Sequence, residues 1–347
     1  MLVATTLVGA SPGPSPRPPA PSTPALGVAV NLQPNATAAE RQAAIEAVRR
    51  TGASFFAMTL SWSAAEPSPR QYRFDELART ARVMRQSGAT LHLDIPLVTE
   101  SARDVPADLE EVAFDDPKLS LRLGHLLDRL MPTLLDFDTL SLGDGADSYF
   151  ASRPDELRAY RRLFDGAVQF LEKRAPHLLV GVTTSAPNES PAPTVAAALH
   201  ARSPLLLYAY APFERGRRFI QREPAALEKD WSRLIESSGG RPIAFPVVSY
   251  SSAEANGSSE ARQAEFVRRL REFLRRSDGR ALRFARYVAL RDPGEAGPAG
   301  TSEDGSDATA DEARRLAFLA HRGLQEADGT SKPAWREWVR QAAPVKR

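Results

Sequence analysis

From residue 25 onward, short apolar runs alternate with longer amphipathic stretches. The runs are rich in Val, Leu, Phe and Tyr and are about as long as buried strands. They predict eight strands, at residues 26–32, 54–62, 90–97, 139–142, 178–184, 205–211, 242–250 and 283–290. The stretches between and after them have apolar residues at helical spacing and predict helices at residues 38–50, 74–87, 119–135, 154–174, 195–201, 224–238, 259–276 and 311–327.

Strands that alternate with helices pair in parallel, because each helix returns the chain to the starting edge of the sheet. Eight such units in a chain of 347 residues favour a closed (β/α)8 TIM barrel over an open, doubly wound sheet. The first strand is not followed by a glycine-rich dinucleotide loop or a Walker-type loop, which makes nucleotide binding less favoured still. The predicted fold class is therefore α/β, a TIM barrel.

The amino-terminal residues differ in composition from the rest of the chain. Residues 1–10 are apolar and end in small residues but lack a basic start, so they are interpreted as a truncated signal segment, with an uninformative frayed terminus as the alternative. Residues 11–24 are dominated by Pro and Ser and predict an extended linker. Residues 25–340 form the predicted single domain. A tethered or exported protein suits such a linker, so an extracytoplasmic or secreted location is expected, and no apolar run is long enough to span a bilayer.

Composition excludes several classes of function. The 45 basic and 43 acidic residues give a formal charge of +2, so there is no excess of positive charge to attract nucleic acid or an anionic membrane. The chain has no cysteine, which excludes disulfides, thiolate catalysis and cysteine-bound metals. Its five histidines are scattered, so a structural zinc site is not expected. The sequence predicts neither a cofactor nor a metal.

In a TIM barrel the functional residues lie at the carboxyl ends of the strands and in the loops that follow. Aromatic rings mixed with hydroxyl, amide and carboxylate groups suit a sugar, whose C–H faces stack on rings and whose hydroxyls need hydrogen-bond partners. The predicted substrate-binding residues are Trp62, Glu66, Asp94, Tyr149, Tyr208, Tyr210, Tyr250 and Asp292. The competing interpretations are core or rim packing for the rings, a structural pair for Asp94, and a turn-holding role for Glu66.

A family resemblance rests on several segments in the same order. Trp62 and Glu66-Pro67 followed by Tyr72-Arg-Phe74, then residues 99–109, 141–150 and 248–270, and finally Lys332-Pro-Ala-Trp335, resemble clan A glycoside hydrolases of the endo-galactanase and cellulase type. The resemblance covers residues 25–338. It implies a (β/α)8 barrel with a sugar-shaped cleft at its mouth, and an oligosaccharide or polysaccharide as the partner.

The same resemblance implies a loss of the family's chemistry. Retaining glycosidases use an acid/base and a nucleophile, both carboxyl groups, about 5 Å apart. The position that matches the acid/base is Gly145, and the one that matches the nucleophile is Val247. Asp144 and Asp147 are the fallback carboxylates, with a loop in which each binds its own backbone as the alternative.

Three hypotheses remain open at this stage. The first is a catalytically degenerate hydrolase, a pseudoenzyme that binds a carbohydrate or a partner in the mouth of its barrel. The second is an active glycosidase that uses Asp144 or Asp147. The third is a non-enzymatic scaffold that acts through its outer surface.

Overall fold

Eight parallel strands form the wall of a barrel in the computed structural model, which describes residues 22–32, 36–293 and 310–341. The strands alternate with helices along the chain and surround a shared interior. This arrangement confirms the predicted (β/α)8 class. In chain order the strands are β1 Ala25–Val28, β2 Phe55–Thr59, β3 Thr90–Asp94, β4 Thr139–Ser141, β5 Leu179–Gly181 with its continuation β6 Thr183–Ser185, β7 Leu206–Tyr210, β10 Ile243–Val248 and β11 Leu282–Tyr287, and a short hairpin of β8 Phe213–Glu214 and β9 Arg217–Gln221 follows β7.

The hydrogen-bonded ladder around the wall is interrupted at two places. One sheet has the order β1-β11-β10-β7-β6 and the other β2-β3-β4-β5. Val182 separates β5 from β6, yet the N–H of Thr183 still donates to the carbonyl of Gly143 at 2.9 Å, so the wall continues there. Between β1 and β2 a backbone hydrogen bond of 3.0 Å joins Ser54 to Leu26. At this seam a Cβ on Gly27 would lie 2.7 Å from the carbonyl oxygen of Phe55, so the close approach of the two strands requires glycine.

The helices that surround the strands begin and end with recognisable signals. Thr37 and Glu40 form a capping box before the first helix, and Asp116 caps the long fourth helix, which starts at Pro117. The α-helices are α1 Ala38–Arg49, α2 Trp62–Ala65, α3 Asp75–Gln86, α4 Pro117–Leu134, α5 Ala146–Ser152, α6 Leu157–Arg174, α7 Pro193–His200, α8 Ala226–Ser237, α9 Glu260–Arg276, α10 Ala310–Ala320 and α11 Pro333–Arg340. None of the described helices is long and apolar enough to cross a membrane.

The interior of the barrel changes character from its amino end to its carboxyl end. Phe55, Leu205, Leu207 and Phe284 are buried together near the amino end, with the rings of Phe55 and Phe284 stacked at 4.1 Å. Inward-facing positions alternate with outward-facing ones along each strand, and further toward the carboxyl ends the inward ones become polar. The outward faces pack against the helices in two larger apolar clusters. The apolar end holds the barrel together and leaves its other end free to carry polar groups.

The loops after β7, β10 and β11 are joined above the carboxyl ends of the strands. The fully buried amide of Asn256 donates to the carbonyl oxygens of Phe219 in the hairpin and Arg314 in α10, both at 2.8 Å. The amide of Gln221 both donates to and accepts from the backbone of Ser251. The hydrophobic pattern does not predict this hairpin or the helices α2 and α5, because each is too short to show a clear period.

Several sequence predictions lie wholly or partly outside the described residues. These are the signal segment at residues 1–10 and nearly all of the linker at residues 11–24. Within the described residues the first strand begins at Ala25 and the last helix ends at Arg340.

Candidate functional site

Three charged side chains face inward near the carboxyl end of the barrel, and we call them the mouth cluster: Asp94, Asp144 and Arg286. Asp94 ends β3, and its register partners are Thr59 and Ser141. Asp144 lies three residues after the end of β4, held by a 2.9 Å hydrogen bond from its backbone N–H to the carbonyl of Val98. Arg286 is on β11, opposite Gly27 and two residues beyond the interior Phe284. The ends of three strands thus bring two acidic side chains and one basic side chain to the same place.

The carboxyl group of Asp94 is the most perturbed member of the mouth cluster. Burial raises its pKa well above the ordinary value, and the nearby charge of Asp144 raises it further, while Arg286 and the Ser141 hydroxyl oppose the rise. Its Oδ1 is buried and has no hydrogen-bond partner among the described residues. A carboxyl oxygen shielded from water without a partner is costly, so this atom is suited to binding a donor from a ligand.

Asp144 differs from Asp94 because its side chain is exposed to solvent within the mouth. Desolvation by the surrounding loops still raises its pKa, and Arg286 lowers it. In the part of the chain that the structure describes, its carboxylate makes no hydrogen bond and no ion pair within 4 Å. It is therefore reachable from outside and uncommitted.

Arg286 contributes the positive charge of the mouth cluster. Its Nε donates to the carbonyl oxygen of Pro246 at 2.8 Å, which fixes the guanidinium at one corner. Burial lowers its pKa, and the charges of Asp94 and Asp144 oppose that change. Among residues 22–32, 36–293 and 310–341 it has no carboxylate within 4 Å. Its remaining N–H groups can donate to a ligand.

His92 lies one inward position below Asp94 and closes the polar part of the interior. Its Nδ1 is 2.8 Å from the hydroxyl of Thr139, and its ring is 5.2 Å from that of Phe284. Burial lowers the pKa of His92 to about 3, and the charge of Arg286 acts in the same direction. The imidazole is therefore neutral at physiological pH and serves as the floor of the mouth.

Glu66, a predicted substrate-binding residue, is fully buried and committed to other side chains. It accepts hydrogen bonds from Trp62 Nε1 at 2.9 Å and from the backbone N–H of Arg70 at 2.6 Å. Its ion pair with Arg122 on α4 measures 3.0 Å. These contacts tie Glu66 to the turn at Arg70 and to α4, and a role in sugar binding stays a prediction.

Asp147, the second fallback carboxylate, is also fully occupied. It lies in α5 and is buried, accepting from the backbone N–H of Ser185 at 3.0 Å and from the hydroxyl of Ser190 at 2.5 Å. Its neighbour Tyr149 is buried as well, and its hydroxyl donates to Glu156 at 2.9 Å. Asp147 thus joins the segment after β4 to the segment at β6, and Tyr149 joins it to Arg103 in the loop after β3.

The predicted aromatic platform is packed away among core side chains. Trp62 and Tyr250 have no exposed surface, and Tyr208 and Tyr210 are also buried. The Tyr210 hydroxyl donates to Asp230 at 2.9 Å, and the Tyr250 hydroxyl donates to the carbonyl of Arg222 at 2.8 Å. The four rings do not converge on an open cleft. On β7 the two tyrosines share the outward face with Leu206, since Leu205 and Leu207 belong to the interior.

Asp292 anchors the carboxyl-terminal segment. It is buried, accepts from the backbone N–H of Gly323 at 2.6 Å and forms an ion pair with the buried Lys332. A Cβ on Gly323 would lie 2.2 Å from the backbone nitrogen of Asp292, so this contact requires glycine. Its carboxylate is therefore committed to the fold.

The two positions that the resemblance associates with catalysis lie at the mouth. Gly145 precedes α5 with φ 65° and ψ 30°, in the left-handed region. Val247 pairs in register with Ala209, whose neighbour Leu207 at the next inward position is interior, so Val247 faces the barrel. Neither residue has a group that transfers a proton or attacks an anomeric carbon.

Arg286 is the candidate functional residue that the sequence analysis missed. It stands within the apolar run 283–290 and was counted only as part of a strand. A signal was available: charged residues inside barrel strands are costly unless they reach a polar site. Together with Asp94 this arginine marks two strands whose carboxyl ends meet at one polar place.

No group of three or more His, Cys, Asp or Glu side chains that could hold a metal ion occurs in the described parts of the chain. Two of the cavities in the described residues lie against the helices around the wall. One, of about 510 Å³, is lined by Glu189, Tyr210 and Asp230 between the loop after β6 and helix α8. The other, of about 530 Å³, runs between α1 and α3 and reaches Arg286 at the β1–β2 seam.

Comparison with known proteins places this architecture among glycoside hydrolase folds. No family model matches the sequence, and no curated protein matches it. A solved structure of a glycoside hydrolase family 5 subfamily 18 protein from Streptomyces cattleya, in complex with GlcNAc, superposes with a TM-score of 0.66 at 15% identity, covering 92% of this chain and 80% of that one. The subfamily 18 protein from Bifidobacterium longum subsp. longum gives 0.66 at 15% identity, covering 94% and 80%.

A more distant solved structure is xylanase 10C from Cellvibrio japonicus in complex with xylopentaose. It superposes with a TM-score of 0.60 at 13% identity, covering 93% of this chain and 68% of that one. At these identities the likeness shows a shared fold and nothing finer. The resemblance to clan A glycoside hydrolases is thus confirmed for the fold.

Proposed function

We propose that this chain binds an oligosaccharide or polysaccharide in the mouth of its barrel and does not hydrolyse it by double displacement. The observation that carries the proposal is the mouth cluster, which offers an exposed carboxylate, a buried carboxyl oxygen without a partner and a guanidinium with free N–H groups. Sugar hydroxyls both donate and accept, so such a set matches them. Glycine and valine at positions 145 and 247 support the absence of double displacement.

Neighbouring folds support a β-linked sugar as the ligand. A mutant of the Streptomyces cattleya protein was solved with Manβ1-4GlcNAc, and the xylanase with xylopentaose. Because the four predicted platform rings are packed in the core, recognition here depends on hydrogen bonds more than on stacking. Recognition by hydrogen bonds without stacking favours a modest affinity for the sugar.

The raised pKa values of Asp94 and Asp144 support a second candidate function, hydrolysis by an unusual pair of acids. A carboxyl group with a raised pKa can act as a general acid, and a second one as a base. Asp147 is not part of this alternative, since its oxygens already accept two hydrogen bonds.

The test is a panel of GlcNAc, Manβ1-4GlcNAc, galactan, β-glucan, mannan and xylan, measured for binding by calorimetry and for release of reducing sugar. We expect binding without release, weakened by Asp144→Asn. The control is Asp155→Asn, which changes an exposed aspartate in the short turn before α6. Release abolished by Asp144→Asn would establish the hydrolase instead, and neither binding nor release by the parent chain would favour the scaffold.

A further inference from the structure

The loop after β3 carries a glutamate over the position that has no side chain at the mouth. Residues 98–103 form a tight hairpin, in which Val98 bridges Arg103 and the N–H of Thr99 donates to the carbonyl of Ala102 at 2.8 Å. The Thr99 hydroxyl donates to the same carbonyl at 3.1 Å. The tip of this hairpin is Glu100.

The base of the hairpin is attached directly to the mouth cluster. The carbonyl of Val98 accepts a hydrogen bond from the backbone N–H of Asp144 at 2.9 Å, which joins the hairpin to the residues after β4. A backbone fixed at both its base and its turn limits where the Glu100 side chain can point.

The Glu100 side chain occupies the space that a side chain at position 145 would need. A Cβ built on Gly145 would lie 2.4 Å from Cγ of Glu100 and 3.5 Å from its Cα. The positive φ of Gly145 already disfavours any other residue there. Position 145 is therefore glycine for two reasons, its backbone and its neighbour.

The carboxyl-terminal segment supplies two cations that feel the charge of Glu100. A hydrogen bond to Glu312 raises the pKa of Arg315 on α10, and the negative charge of Glu100 raises it further. Burial lowers the pKa of Arg322, and the charge of Glu100 acts against that change. Glu100 is exposed to solvent, and its place beside Gly145 puts its carboxylate within reach of a ligand in the mouth.

We propose that Glu100 is a ligand-binding residue of the mouth, whose carboxylate accepts hydrogen bonds from sugar hydroxyls at the place where position 145 has none. This assignment rests on the proposed function. It adds a fourth polar group to the mouth cluster, contributed by a different loop, and it makes Glu100 and Gly145 one packing unit.

The first experiment tests the packing unit without any ligand. Gly145→Ala, Glu100→Ala and the double variant are compared by thermal unfolding. We expect Gly145→Ala to lower Tm by about 4 °C, and by clearly less when Glu100 is already alanine. Equal losses in both backgrounds would show that the Glu100 side chain does not fill this space, and would overturn the assignment.

The second experiment measures binding of Manβ1-4GlcNAc and the polysaccharide panel by Glu100→Gln, with Glu172→Gln on the exposed face of α6 as the control. We expect about a tenfold loss of affinity in the first variant and none in the control, because a charged acceptor is replaced by a neutral amide. Parent binding that Glu100→Gln leaves unchanged would overturn the role of Glu100 alone. No binding by the parent would instead overturn the proposed function and this role with it. The thermal unfolding of the single and double variants would still report on the packing of Glu100 against position 145.

Discussion

Four carboxylates of this barrel fall into two groups, a pair in the wall and loops and a pair at the mouth. Glu66 and Asp147 are buried in the wall and loops, and each accepts at least two hydrogen bonds. Asp94 and Asp144 face the mouth, where one has a buried oxygen without a partner and the other makes no hydrogen bond among the described residues. The difference separates acids that maintain the fold from acids available to a ligand.

The two groups should respond to substitution in opposite ways. A saturated buried acid stabilises the fold because its removal leaves its partners without acceptors. An unsatisfied acid at a mouth costs stability, and replacing it relieves that cost. Substitution of a saturated acid should therefore lower the free energy of unfolding, whereas substitution of a mouth acid should weaken binding and leave stability nearly unchanged.

The largest effect is expected for Glu66→Ala. It leaves the Trp62 indole N–H buried without its acceptor and removes one of the two carboxylates paired with Arg122, while the other, Asp108 at 3.0 Å, remains. The free energy of unfolding should fall by about 2–4 kcal/mol. Urea denaturation measures this loss. Glu172→Ala, at an exposed position on α6, is the control and should change stability by less than about 0.5 kcal/mol. A small loss for Glu66→Ala would mean that the buried pair contributes little and that the two groups of acids do not differ.

A smaller effect is expected for Asp147→Asn. One acceptor oxygen becomes an NH₂ group that faces either the Ser185 N–H or the Ser190 hydroxyl, so we expect a loss of about 1–3 kcal/mol. The matched change at the mouth, Asp144→Asn, removes no hydrogen bond and should alter stability by less than about 0.5 kcal/mol. Equal losses at positions 144 and 147 in the same denaturation experiment would contradict the comparison.

The fold could be predicted from sequence because strand and helix periods are properties of short segments. All eight predicted strands overlap observed strands, and the errors are at their ends. The second strand, for example, was predicted to run through Trp62, which begins α2 instead after the side chain of Ser61 caps it. The end of a strand depends on capping contacts that the hydrophobic pattern does not encode.

The site could be predicted only in part, because both faces of a strand in a parallel barrel are apolar. Tyr208 and Tyr210 were chosen for their chemistry, but their outward direction depends on the register of β7 against β6 and β10. Asp94 was among the predicted residues and faces inward, whereas Arg286 was missed on the same kind of strand. Which acids are saturated depends on contacts as far apart as Asp147 and Ser190, and no local pattern shows these.

The smallest effect is expected in the pH dependence of stability. The pKa of Asp94 is raised in the folded protein, so between the ordinary aspartate value of about 3.9 and the raised value the folded state binds more protons than the unfolded one. The contribution of Asp94 to stability should therefore be greatest below this window and fall as pH rises through it. The asparagine of Asp94→Asn cannot ionise, so the variant should lack this part of the pH dependence. Its free energy of unfolding should therefore rise relative to that of the parent as pH rises. The gain at neutral pH should stay below about 1 kcal/mol, because the amide that Asp94→Asn introduces has N–H groups that also need partners.

Urea denaturation of the parent and of Asp94→Asn at pH 4, 5, 6 and 7 measures how the free energy of unfolding of each depends on pH. Parallel profiles would show that Asp94 is as well solvated in the folded chain as in the unfolded one, and the mouth would then lose the acid that distinguishes it most clearly from the wall.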